Sequence, residues 1–101
     1  MPDVRTNRPY EEEVTRLLTE RGLSIRALAR LVGVTDAHLS RVLRHANYKT
    51  VSADLARRTA IALDLPDEYF AEAREGAVFD LIRNDPRLRD QLYDQLHSKN
   101  G

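Results

Sequence analysis

The stretch that decides the fold is Ser24-Ile-Arg-Ala-Leu-Ala-Arg-Leu-Val-Gly-Val-Thr-Asp-Ala-His-Leu-Ser-Arg-Val-Leu-Arg44. It holds two short helical patterns separated by Gly33-Val34-Thr35. A link that short makes the second helix leave at a steep angle to the first, the layout of a helix-turn-helix. Ser24 suits the N-cap of a helix through Val32, and Gly33 suits the left-handed conformation that ends it. Thr35 caps the next helix, where Asp36 favours the positive end of the helix dipole.

Helical phase separates the inside of each helix from the outside. At about 100° per residue, Leu39, Val42 and Leu43 share one face of the second helix. Ala37, Ser40, Arg41 and Arg44 lie opposite, with Asp36 and His38 at the edges. In the first helix Ile25, Leu28, Ala29, Leu31 and Val32 form the expected buried stripe, while Arg26 and Arg30 point away. The outer face of the second helix is thus narrow, small and cationic. Such a face fits the major groove, where small side chains permit close approach and arginine forks onto guanine.

Residues Leu23 to about Leu65 resemble the helix-turn-helix domain of the phage Cro and CI repressors and their bacterial relatives, the XRE family. The matching residues are Ala27-Leu28-Ala29, Gly33-Val34-Thr35, Leu39-Ser40-Arg41-Val42, Leu55-Ala56 and Ala62-Leu63. The resemblance implies an all-α chain: a five-helix lambda-repressor-like domain over residues 9–75, with a C-terminal helical extension over 76–101. It departs from the family where Gln is frequent and Ile25 stands, where Glu is frequent and Leu43 stands, and where Gly is frequent and His45 stands. No Gln role is carried over, and the recognition helix is expected to end differently from the family's.

Within that resemblance Asp36, Ala37, His38 and Arg41 are expected nearest the bases. Ser24, Arg26, Thr35, Ser40 and Arg44 are expected at phosphates, joined by Asn47, Tyr48 and Lys49 from the following loop, which position without reading sequence. The implied function is a sequence-specific regulator of transcription bound to double-stranded DNA, a repressor acting as a homodimer. The rival reading is an antitoxin that neutralises a toxin; the run Ala53-Asp54-Leu55-Ala56 resembles some of these.

Charge distribution agrees with a nucleic-acid partner although the chain of 101 residues has no net charge. Residues 24–58 hold seven basic side chains against two acidic ones, a balance of +5. The flanks carry the compensating acid, so one segment is polarised against the rest. The absence of cysteine removes disulfides and thiolate metal sites. There is no nucleophile elbow and no Gly-rich phosphate loop, and His38, His45 and His97 are not at metal-ligand spacing. No enzyme activity, metal or cofactor is therefore expected. With no apolar run long enough for a bilayer and no signal-peptide pattern, the expected location is the cytoplasm and no membrane partner is expected.

Outside the central stretch, residues 1–8 read as a flexible arm. Pro9 opens a helix with Tyr10, Val14, Leu17 and Leu18 inside, ended by Gly22. Ser52 caps a fourth helix through Leu63. Asp67 to Glu75 reads as a fifth, with Tyr69 and Phe70 as core plugs and Gly76 as its end. Val78 to Arg83 reads as a further short helix, and Asp85-Pro86 starts the last one. There Leu88, Leu92 and Leu96 recur every fourth residue beside Tyr93, a seam expected to dimerise rather than to fold back over Ile61.

Overall fold

The computed structural model describes residues 4–44 and 51–100, with side chains described through residue 98. Those residues form helices only: α1 (Tyr10–Arg21), α2 (Ile25–Val32), α3 (Asp36–Arg44), α4 (Ala53–Ala62), α5 (Ala71–Asn84) and α6 (Pro86–Asn100). The chain is all-α among the described residues, and none of its helices is long and apolar enough to cross a membrane.

Local chemistry sets the helix ends. Ser24 Oγ accepts from the Ala27 amide at 3.0 Å, and Ser52 Oγ accepts from the Leu55 amide at 3.0 Å. Each satisfies a donor that the first turn leaves without an intrahelical partner. Gly22 (φ 65°) closes α1 and Gly33 (φ 89°) closes α2, both left-handed. The Asp85 carboxylate accepts from the Leu88 amide at 3.2 Å and so starts α6 as the Asp-Pro pair indicates.

One continuous core joins α1 to α5. Tyr10, Val14, Leu17 and Leu18 from α1 meet Leu28, Ala29 and Val32, Leu39 and Val42, Leu55, Ala56 and Ala60, and then Leu63, Tyr69, Phe70 and Ala73. Tyr10 and Phe70 stack tilted with centroids 5.1 Å apart, and the Tyr10 hydroxyl donates to Thr59 Oγ1 at 2.8 Å. Thr59 in turn donates to the Leu55 carbonyl at 2.7 Å, so the buried hydroxyls are paired in sequence. Burial pushes the Tyr10 phenol up to about 12.

A buried carboxylate sits among these apolar groups. Glu13 is only 2% exposed, and both its oxygens accept from Arg16, at 2.9 and 2.7 Å. The Tyr69 hydroxyl donates to the same carboxylate. The Arg16 hydrogen bonds hold the Glu13 carboxyl below its usual range against the opposing effect of burial, with Tyr69 assisting. This ties α1 to the link before α5.

Four expectations need correction. Leu31 is 60% exposed rather than buried. Leu28, Val32, Ile25 and Ala29 lie within about 100° of one another on α2, and Leu31 falls well outside that arc. Residues 4–8 are not a loose arm. The Thr6 amide donates to the Tyr69 carbonyl at 2.9 Å, while Arg74 donates to Thr6 O at 2.8 Å and Asn7 Oδ1 at 3.1 Å. Tyr69 and Phe70 do plug the core, but from the link ahead of α5 rather than from a helix begun at Asp67.

The fourth correction concerns Gly76, which ends nothing. Helix α5 runs through it to Asn84, across the boundary expected between the domain and its extension. A Cβ at position 76 would lie 2.2 Å from the Ala53 Cβ. The glycine is therefore a close-approach residue where α5 crosses the first turn of α4. A glycine inside a helix weakens it only modestly, and packing offsets that cost.

Candidate nucleic-acid interface

Helix α3 is held by two side chains and offers the rest to solvent. Leu39 and Val42 are buried, and Leu43 is half-buried against the core. Asp36, Ala37, His38, Arg41 and Arg44 are exposed and Ser40 is half-buried. Helix α3 packs on α1 and α2, which fixes its orientation from behind. The Thr35 hydroxyl oxygen accepts from the His38 amide at 3.0 Å, so the turn between α2 and α3 is closed by the residue expected to cap it.

The cations around α3 differ in their electrostatic surroundings. Arg26 Nε lies 3.6 Å from Asp36 Oδ2, with both side chains largely exposed. Arg58 pairs with Asp54 at 3.0 Å one turn away on α4. Among the described residues Arg30, Arg41 and Arg44 form no ion pair. Their charge is therefore carried to solvent without a neighbouring carboxylate. The pair Arg26–Asp36 links the outer side of α2 to the first turn of α3. At such exposure, and beyond hydrogen-bond distance, it contributes little stability.

Two surface clefts group the expected contact residues. One, of about 470 Å³, lies between α1, the start of α2 and the end of α3, where Ser24, Ser40 and Arg44 meet Thr15 and Thr19 above Leu18, Leu23, Ile25 and Leu43. The sequence-expected phosphate residues Ser24, Ser40 and Arg44 thus converge although they come from two helices. A second, smaller cleft of about 230 Å³ is lined by Arg26, Ala29, Arg30, Val34 and Asp36. It brings Arg30 to the site, a residue not counted among the contacts above. The signal was present: Arg30 follows Arg26 by one turn and shares its face.

The remaining expected loop contacts Asn47, Tyr48 and Lys49, and His45 with them, lie outside the described residues. Among the described residues no group of three or more His, Asp or Glu side chains is placed to hold a metal ion. Comparison with protein-family models, with curated proteins and with solved structures finds no match for this chain.

Proposed function

We propose that the protein is a sequence-specific, double-stranded-DNA-binding regulator of transcription, of the repressor type, with α3 as its recognition helix. The observation that carries this reading is the division of α3. Two buried anchors hold it, and its exposed face is short and polar around the unpaired cations Arg41 and Arg44. The lambda-repressor-like, XRE-type fold read from the sequence agrees with this division, since the two short helices and their glycine turn occupy the expected positions. In this reading Asp36, Ala37, His38 and Arg41 face base edges. Ser24, Ser40 and Arg44 sit at phosphates, with Arg26 and Arg30 beside them.

Helix capping also bears on phosphate binding. Ser24 Oγ accepts from the Ala27 amide, which leaves its proton available to donate to a phosphate oxygen. Arg26, 3.6 Å from Asp36, is also placed for a phosphate contact.

Paired substitutions test the reading. Arg41→Ala is expected to cost about 1–3 kcal/mol on the preferred site and to relax preference at one base position per half-site. Arg44→Ala is expected to weaken all duplexes alike and to lower the salt slope by about one unit. Both side chains are exposed, so folding should be unaffected. Equal loss on preferred and random DNA for Arg41→Ala would make it a phosphate contact and withdraw it from base reading.

A further inference from the structure

We propose that the cleft of about 470 Å³ between α1, the start of α2 and the end of α3 binds a small amphiphilic monocarboxylate, an acid with a medium-length aliphatic body. The site itself does not depend on the DNA reading; its consequence, release of DNA, rests on that reading. The floor of the cleft is apolar. Leu18 is buried, whereas Leu23, Ile25 and Leu43 pack against the core and are still only half-buried. All four line this one cavity, so a single occupant can cover the hydrocarbon that the helices leave open. Small-molecule sites of roughly 300–1,000 Å³ combine an apolar lining of this kind with a few placed polar groups.

Here the free polar groups are donors, and they come from α2 and α3. Ser24 Oγ accepts from the Ala27 amide and keeps its own proton to give. Ser40 has no side-chain hydrogen-bond partner among the described residues, and Arg44 has no ion pair among them. No acidic side chain lines the cleft. On the α1 wall the Thr15 and Thr19 hydroxyls already donate to the Glu11 and Thr15 carbonyls, at 2.7 and 3.1 Å. That wall has no hydroxyl proton left for a ligand. An anionic head is therefore drawn to Ser24, Ser40 and Arg44, with its body laid over the apolar floor.

The charge count selects the head group. One guanidinium balances one negative charge, and a carboxylate matches its fork while keeping lone pairs for two hydroxyl donors. A phosphate dianion would carry excess charge here, and a cationic amphiphile would meet Arg44 with the wrong sign. Ser24, Ser40 and Arg44 are also the residues assigned above to DNA phosphates. The carboxylate and a phosphate cannot hold them together, so ligand binding weakens DNA binding and the reverse.

Titration of the full chain with sodium octanoate, followed by amide chemical shifts, tests the site. Saturable binding is expected, with a Kd of about 1 mM or tighter and the largest shifts around Leu23, Ile25 and Leu43. Across butanoate, hexanoate and octanoate, each added methylene is expected to tighten binding by about three- to fourfold. Acetate and octylamine are expected not to saturate. Arg44→Met, which keeps an apolar stem at an exposed position, is expected to weaken octanoate by about tenfold or more. Ile25→Gln, outside the assigned DNA contacts, is expected to weaken octanoate several-fold and to leave duplex DNA affinity unchanged. Octanoate is expected to displace duplex DNA from the parent chain where the same concentration of acetate does not. Absence of saturation by about 10 mM octanoate overturns the proposal. So does an affinity that ignores chain length, or equal binding of octylamine. Octanoate binding by a chain that binds no DNA supports the site and contradicts the reading of function. DNA binding untouched by saturating octanoate overturns the competition.

Discussion

Replacing Gly76 with alanine is expected to destabilise the protein by about 1–3 kcal/mol, despite alanine's advantage of about 1 kcal/mol inside a helix. The two effects have opposite sign, and geometry decides between them. The new Cβ would lie 2.2 Å from the Ala53 Cβ, a separation that side-chain rotation cannot relieve because neither atom can move without its backbone. Helices α4 and α5 must separate, which loosens Leu55, Ala56, Phe70 and Ala73 together. For a domain of this size that corresponds to a fall in Tm of roughly 10 °C. Adding Ala53→Gly removes the opposing atom and should restore much of the loss, so the two changes couple strongly in a double-mutant cycle. A Gly76→Ala protein as stable as the parent would show that the crossing is looser than described.

Glu13→Gln is expected to cost about 2 kcal/mol near neutral pH, in the range of hydrogen bonds to a charged group. Arg16, partly exposed, loses a bidentate partner, and Tyr69 loses a charged acceptor. The pH dependence gives a second readout. Because the folded-state Glu13 carboxyl is depressed, its stabilisation is present above the ordinary glutamate value and is lost as pH falls through the depressed one. Stability of the parent should therefore decline as pH drops below about 4.3, and that decline should be shallower in Glu13→Gln. Tyr69→Phe, which keeps the ring, should cost about 1 kcal/mol. Identical acid profiles for parent and Glu13→Gln would remove this network from the stability account.

Much of the helical plan was legible because short-range signals specify it. Ser24, Gly33, Thr35 and Ser52 each act within one helical turn, and the structure places each in the role its chemistry indicates. Long-range partners carry no such mark. Gly76 looks like a terminator because the same residue ends α1 and α2 at Gly22 and Gly33. Its role at the α4 crossing depends on Ala53, far away in sequence. Thr6 and Asn7 lie in a segment without periodicity, and only the fold brings Arg74 to them. Glu13 was partly legible, since its phase puts it beside Leu17 at the edge of the buried stripe, with Arg16 one turn on. An acidic first turn also suits the helix dipole, and that reading concealed the buried one.

For the candidate interface, phase alone separated Leu39 and Val42 from Asp36, Ala37, His38 and Arg41, because a nine-residue helix has one core-facing side. The convergence of Ser24 with Ser40 and Arg44 required the packing of α2 on α3. That Val78, Phe79 and Leu81 stand exposed on the same helix as Ala73 was hidden by the break expected at Gly76, which split one pattern into two short ones.

Selection of bound sequences from a random pool of duplex DNA by the full chain, followed by salt titration on the selected site, tests the central claim most directly. The account predicts enrichment of a two-fold sequence with half-sites about one helical turn apart, roughly 34 Å. It also predicts affinity that falls steeply with salt on any duplex, with a further specific increment on the selected one. No enrichment, together with no binding to duplex DNA at low salt, would contradict it.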